Sequence, residues 1–98
     1  MKVTQKKAVL IVKMLQLVFY TTSHCHLCEQ AEQIFDDLGF KKLISNKDIS
    51  LEIVDIAGDD SLEELYGVRI PVLKRLDNDV DIGWPFTHFT LQNFLNLN

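Results

Sequence analysis

The chain contains no long hydrophobic run, and this absence excludes whole classes of protein. No stretch approaches the roughly 20 apolar residues that a membrane-spanning helix needs. The short apolar stretch at residues 8–12 lies between lysines and is shorter than the about 7 residues that form the core of a signal peptide. We therefore expect a cytoplasmic protein that makes no membrane contact.

Cysteine is scarce, and over most of the chain so are basic residues. The two cysteines, Cys25 and Cys28, do not make the disulfide framework of a small secreted domain. In a reducing compartment, such a closely spaced pair is more often catalytic or metal-binding. Four of the 10 basic residues lie in residues 1–13, so residues 14–98 carry 6 basic and 14 acidic side chains. The resulting charge of −8 argues against a nucleic-acid partner.

The length of the chain, 98 residues with 47% hydrophobic side chains, is enough for one core and therefore for one domain. We assign that domain to residues 14–98. Residues 1–13 are basic with one apolar patch, and we interpret them as an N-terminal extension, an added first strand or an overlong reading frame. We expect this segment to be dispensable.

The two cysteines lie where a predicted strand gives way to a predicted helix. Residues 15–20 are a short run of apolar, β-branched and aromatic side chains, as expected for a buried parallel strand. After the cysteines, apolar residues recur at the three- and four-residue intervals of an amphipathic helix, which Gly39 is predicted to end. These apolar residues are Leu27, Ala31, Ile34, Phe35 and Leu38. Cys25 is thus predicted at the first turn, where free backbone N–H groups and the helix dipole stabilise an anion such as a thiolate.

The rest of the chain predicts alternating strands and helices. We expect a second strand at residues 51–56, a short helix at 61–67, a hairpin with arms at 71–76 and 80–82, and a final helix from Thr87. The apolar stripe of the final helix is predicted to be Phe89, Leu91, Phe94, Leu95 and Leu97. The order βαβαββα is an α/β arrangement whose first two strands are parallel and joined by a right-handed crossover.

Two segments carry a resemblance to a known family. Residues 19–28 and the sequence Arg69-Ile70-Pro71-Val72 resemble the thioredoxin-fold superfamily and, within it, the glutaredoxin-like domain family. The resemblance covers roughly residues 14–97. It implies a thioredoxin-like fold with a four-stranded mixed sheet flanked by helices, and a dithiol that opens the first helix. It also implies a proline with a cis peptide bond that faces the thiols, and Pro71 matches that position.

The same resemblance implies a thiol-disulfide oxidoreductase that serves electron transport and cell redox homeostasis. Only a thiolate attacks a disulfide, so Cys25 at the helix start is the predicted nucleophile, and Cys28, one turn further on, is the predicted resolving thiol. We expect the backbone edge at Ile70 and Pro71 to pair with an extended substrate. His26 is predicted either to face the substrate or to be a solvent-exposed helix residue with no special role.

The expected partners are a disulfide-containing protein or a low-molecular-weight thiol, with a reductase or glutathione as the electron donor. We expect no cofactor, since the redox-active group is the disulfide Cys25–Cys28 itself, and we expect a monomer without a metal. Glutaredoxins that bind glutathione carry a basic residue shortly before the dithiol and a Gly-Gly pair after the last strand. This chain has Ser23-His24 and Gly83-Trp84 there, which argues against glutathione binding, although the edge beside Pro71 could accept a tripeptide.

The polar flank and the helix-start position disfavour a reading of the two cysteines as inert core residues. Two further alternatives remain open from the sequence. The first is a redox-inactive binding module, since Phe19 occupies the position at which thioredoxins carry a buried acid that moves the proton of the resolving thiol. The second is a zinc half-site in which the two cysteines join histidine ligands. The candidate histidines are His24, His26 and His88.

Overall fold

The computed structural model of the chain describes residues 14–95, and the predicted extension at residues 1–13 lies outside that range. Strands and helices alternate along the described residues. In chain order they are β1 (Leu15–Thr21), α1 (His26–Asp37), α2 (Phe40–Ser45), β2 (Ile49–Asp55), α3 (Asp60–Tyr66), β3 (Val72–Arg75), β4 (Asp81–Gly83) and α4 (His88–Leu95). None of these helices is both long enough and apolar enough to cross a membrane.

The strands form one four-stranded mixed sheet in the order β2-β1-β3-β4. Strands β1 and β2 are parallel, with Thr21 opposite Asp55, whereas β3 runs antiparallel to β1 with Val72 opposite Tyr20. Strand β4 runs antiparallel to β3. The predicted mixed sheet flanked by helices is therefore confirmed. At one end of the sheet, β1 and β2 end and β3 begins; we call this the dithiol end, because the two cysteines follow β1 there.

The core lies on both faces of the sheet, because successive β1 side chains point to opposite sides. Phe19 points toward α1, and its ring packs edge-on against Phe35 at a centroid distance of 4.9 Å. Tyr20 points to the other face and stacks on Tyr66 of α3 at 4.1 Å. Helices α1 and α3 therefore cover opposite faces, and both approach the dithiol end.

Helix α2 was not predicted from the sequence. Gly39 does follow the end of α1, but with a φ of +82° it also begins α2, so it turns the chain from one helix into the next. The ring of Phe40 stacks on Phe35 at 4.5 Å, which fixes this six-residue helix against the core. After α2, strand β2 starts at Ile49, two residues before the predicted start at residue 51.

The final helix buries a narrower stripe than the sequence predicts. Leu91 and Phe94 are buried, but Phe89 is 70% exposed, so its assignment to the buried stripe was wrong. With only eight residues, α4 presents two turns to the core, and Phe89 falls on the other side. The predicted stripe residue Leu97 lies outside the described residues.

Candidate functional site

Cys25 and Cys28 lie within disulfide distance at the start of α1, with their Cα atoms 5.2 Å apart. Cys25 is the N-cap residue and has an extended backbone, with φ −107° and ψ 104°. The backbone N–H of Cys28 donates a hydrogen bond to the Cys25 sulfur at 3.1 Å. This arrangement satisfies one of the free N–H groups of the helix start and would stabilise negative charge on that sulfur.

The two sulfurs differ in accessibility. Cys28 is 3% exposed and belongs to the main core cluster, whereas Cys25 is only partly buried and packs against the outside of that cluster. His24, with a φ of +60°, turns the chain just before Cys25. Cys25 is therefore the more exposed of the two cysteines.

His26 projects from the first turn of α1 into solvent. Its side chain is 93% exposed, and its Nδ1 atom lies 3.8 Å from Oε1 of Glu29. The Glu29 carboxylate offsets the electrostatic effect that a positively charged imidazole would have on the Cys25 sulfur, and solvent screens that effect further. The surroundings of His26 thus match the solvent-exposed reading more closely than the substrate-facing one.

Ile70 and Pro71 lie beside the dithiol because of the pairing of β1 with β3. Pro71 immediately precedes Val72, the partner of Tyr20, so it lies at the end of β1 from which the chain runs to Cys25. The Ile70–Pro71 peptide bond is cis. Pro71 is buried, and its carbonyl accepts a hydrogen bond from the Trp84 N–H at 3.0 Å.

The hydrogen bonds of Ile70 decide what this edge could offer a substrate. Its N–H donates to the carbonyl of Tyr66 at 3.0 Å, so this donor is already used. Among residues 14–95, no hydrogen bond to the Ile70 carbonyl is found. Its side chain is partly buried and, like that of Cys25, packs against the main core cluster. The edge therefore presents a backbone acceptor next to the dithiol.

An ion pair beside Pro71 was not predicted from the sequence. The guanidinium of Arg69 donates two hydrogen bonds to the carboxylate of Asp81, at 2.5 Å and 3.4 Å. These hydrogen bonds raise the pKa of Arg69 above its usual value. The two residues are 12 positions apart and meet because β4 returns alongside β3, a contact that local spacing does not reveal.

His88 lies far from the dithiol. Its Nε2 atom is 2.9 Å from Oδ2 of Asp37, the last residue of α1, whereas Cys25 precedes the first residue of that helix. Twelve helical residues separate the two positions by about 18 Å, so His88 cannot complete a zinc site with the cysteines. Within residues 14–95, no three His, Cys, Asp or Glu side chains are grouped as metal ligands would be.

Comparison with known proteins links this chain to proteins of similar sequence and fold. A family model described as "Glutaredoxin-like domain (DUF836)" matches residues 16–96. The X-ray structure of protein XcR50 from X. campestris is 31% identical, covers 82% of this chain and 95% of its own, and has a TM-score of 0.64. Protein Ne2328 from Nitrosomonas europaea is 25% identical over 89% of this chain and 98% of its own, with a TM-score of 0.61.

A more distant structure shows the fold alone. Thioredoxin O2 from Arabidopsis thaliana in its oxidised state is 17% identical, covers 84% of this chain and 72% of its own, and has a TM-score of 0.57. The predicted thioredoxin-like fold is therefore confirmed. The search of curated proteins found no match.

Proposed function

This chain belongs to the glutaredoxin-like domain family, and from that membership we propose that it is a dithiol thiol-disulfide oxidoreductase. The observation that carries the proposal is the pairing of an accessible sulfur, Cys25, with a buried one, Cys28, within bonding distance at a helix start. Dithiol exchange requires these two positions, because one thiol must meet the substrate and the other must reach the first.

The reaction we propose starts from the reduced protein. The Cys25 thiolate attacks one sulfur of the substrate disulfide, so that a mixed disulfide forms and the other substrate sulfur leaves as a thiolate. Cys28 then gives up its proton, which the departing thiolates can accept, and its sulfur attacks that of Cys25. The second substrate thiol is released, the protein is oxidised by two electrons, and the substrate is reduced by two.

Two features of the site support these steps. The N–H of Cys28 faces the Cys25 sulfur at 3.1 Å and would favour its thiolate form. The Ile70 carbonyl, which accepts no hydrogen bond from residues 14–95, would accept a backbone N–H from an extended substrate, which would align its disulfide with Cys25. We propose as substrates a disulfide-containing protein or a low-molecular-weight disulfide, and as electron donor a cytoplasmic reductase or glutathione.

Two serine substitutions test the roles of the thiols. Serine is a strong N-cap residue, so Cys25→Ser keeps the helix start and should fold. We expect reduced wild-type protein to lose two free thiols on mixing with neutral hydroxyethyl disulfide, and Cys25→Ser to react at least about 100-fold more slowly. Cys28→Ser should stop at a mixed disulfide, seen by mass spectrometry after alkylation of free thiols. Disulfide reduction at the wild-type rate by Cys25→Ser would show that Cys25 is not the nucleophile.

One observation favours a second candidate, a redox-inactive binding module. Phe19, at the position of the buried acid of thioredoxins, is fully buried against Phe35, and so no carboxylate lies there to move the Cys28 proton. Equilibration in glutathione and dithiothreitol buffers separates the two functions. A single two-electron transition between about −270 and −120 mV supports the oxidoreductase. Thiols that alkylate independently, without such a transition, support the binding module.

A further inference from the structure

The dithiol end of the sheet is strongly acidic. Glu29 lies in the first turn of α1, and Asp55 ends β2 directly opposite the last residue of β1. Helix α3 begins just after β2, and Tyr66 at its end stacks on Tyr20, so this helix stays near the dithiol end throughout. The acidic residues at this end are Glu29, Asp55, Asp59, Asp60, Glu63 and Glu64, and all six are exposed.

Positive charge is sparse at the same end. Within residues 14–95, the basic residues nearest to it are Arg69, whose guanidinium pairs with Asp81 at 2.5 Å, and Lys74, which lies near Tyr66 and pairs with Asp79 at 3.5 Å. The lysines of α2 follow the end of α1, about 18 Å along that helix from Cys25. Arg75 ends β3 and so also lies at the opposite end of the sheet. Exposed acids lie at both ends of the sheet, but the lysines of α2 accompany them only at the end opposite the dithiol.

Exposed apolar side chains accompany the acids. Leu27 lies between the two cysteines and is 42% exposed, and Leu65 on α3 is 61% exposed. Val68, in the loop that leads from α3 to Pro71, is fully exposed. A polypeptide that reached Cys25 would contact these apolar side chains in a region of negative electrostatic potential.

We propose that this site selects cationic disulfides, such as a disulfide flanked by lysine or arginine in a partner polypeptide, and disfavours anionic ones such as oxidised glutathione. The proposal rests on the proposed function, because the reacting group is the Cys25–Cys28 dithiol and the acids act only through their field. Clustered charge of one sign raises the local concentration of oppositely charged substrates and the rate of encounter. Oxidised glutathione is thus disfavoured as a substrate by its negative charge, in addition to the motif differences noted above.

The test compares three disulfides that differ in charge: cystamine, which carries two ammonium groups, neutral hydroxyethyl disulfide, and oxidised glutathione, which is anionic. Fully reduced, full-length protein is mixed with each at pH 8, and the rate of thiol loss is followed by quenching with an alkylating mass tag. Each reaction transfers two electrons from the protein dithiol to one disulfide, so no further reductant is needed. The double variant Glu63→Gln/Glu64→Gln is compared with wild type for each disulfide, so that the intrinsic reactivity of each disulfide cancels.

The matched control removes two acids at the opposite end, Asp36→Asn/Asp48→Asn, both exposed and remote from the dithiol. At about 10 mM salt, we expect Glu63→Gln/Glu64→Gln to lower the rate of thiol loss with cystamine about threefold. The rate with oxidised glutathione should rise by a similar factor. The rate with hydroxyethyl disulfide should stay within about 1.5-fold of the wild-type rate. With the control variant, the rates for all three disulfides should stay within the same limit. At about 300 mM salt, the differences should shrink, because the Debye length falls well below 10 Å.

One result would contradict charge selection alone, and another would contradict the proposed function as well. Equal changes for all three disulfides, or equal effects of the two double variants, would overturn charge selection while leaving the dithiol reaction intact. No reaction of the wild-type protein with any of the three would overturn the proposed function and charge selection with it. Circular dichroism spectra of both double variants verify that the fold is unchanged.

Discussion

At the scale of single residues, the chemistry of the site is determined by positions within one helical turn. Cys25 and Cys28 occupy the N-cap and third helical positions of α1, so one sulfur accepts a backbone N–H while the other turns into the core. This difference was predictable, because the spacing and the helix pattern are local. The pair of Arg69 with Asp81 was not, because it depends on how β4 is placed beside β3.

Another residue-scale contact fastens α1 to α4. His88 and Gln33 both hydrogen-bond the Asp37 carboxylate, which lowers the pKa of Asp37 below its usual value, with the His88 bond as the larger cause. A lowered folded-state pKa stabilises the fold above the unfolded pKa, and this contribution is lost as the pH falls through the folded pKa. The stabilisation should therefore be complete at neutral pH and absent in strong acid.

We predict that Asp37→Asn lowers the thermal midpoint at pH 7 by about 1–3 °C, because the pair is exposed and screened by solvent. The gap between variant and wild type should close as the pH is lowered from 5 to 2, measured by circular dichroism melts. Asp36→Asn is the control, since the neighbouring carboxylate makes no side-chain hydrogen bond within residues 14–95. A gap that persists unchanged at pH 2 would show that it does not arise from ionisation of Asp37.

At the scale of elements, the strongly periodic segments were predictable and the short ones were not. Helix α1 and strand β1 carry long, regular patterns, and their positions agree with the prediction within a few residues. Helix α2 has six residues, fewer than two turns, so its pattern is too short to be distinguished from a loop. Its place is fixed by the stacking of Phe40 on Phe35, a tertiary contact that no local pattern encodes.

The attachment of α4 to the sheet depends on a buried cation. Arg75, at the end of β3, is 5% exposed and donates a hydrogen bond to the carbonyl of Phe94 at 2.8 Å. The same guanidinium pairs with Asp77 at 2.6 Å, which lowers the pKa of that carboxyl. Arg75 thus connects β3 to the last turn of α4, where unpaired carbonyls favour a cation.

We predict that Arg75→Met lowers the free energy of unfolding by about 2–3 kcal/mol, because charge-assisted hydrogen bonds are lost at a buried position. Lys74→Met is the matched control. Asp79, which forms an ion pair with Lys74, is exposed, so the loss in free energy of unfolding should stay below about 1 kcal/mol. Urea denaturation followed by fluorescence measures both. Equal losses in the two variants would mean that the Arg75 hydrogen bonds contribute little beyond a surface ion pair.

At the scale of the whole molecule, the candidate site is assembled from segments far apart in the sequence. The dithiol, the Ile70–Pro71 segment and Trp84 meet because β1 lies between β2 and β3, with β4 returning beside β3. The resemblance to a known family indicated that Pro71 would face the thiols, but the sequence did not indicate that six exposed acids would lie at that end while the α2 lysines lie at the other. That distribution follows from strand order and helix direction, which only the assembled fold defines.

The four strands and the dithiol are formed by residues 15–83, and the basic sequence of residues 2–13 matches no element of the predicted fold, so we predict that residues 2–13 are dispensable for folding. Deletion of residues 2–13 should change the thermal midpoint by less than about 2 °C and leave the rate with hydroxyethyl disulfide unaltered. The deletion removes four lysines and takes the net charge from −4 to −8, so at low salt the preference for cystamine over oxidised glutathione should increase. A loss of several degrees would instead show that this segment packs into the fold and contributes to its stability.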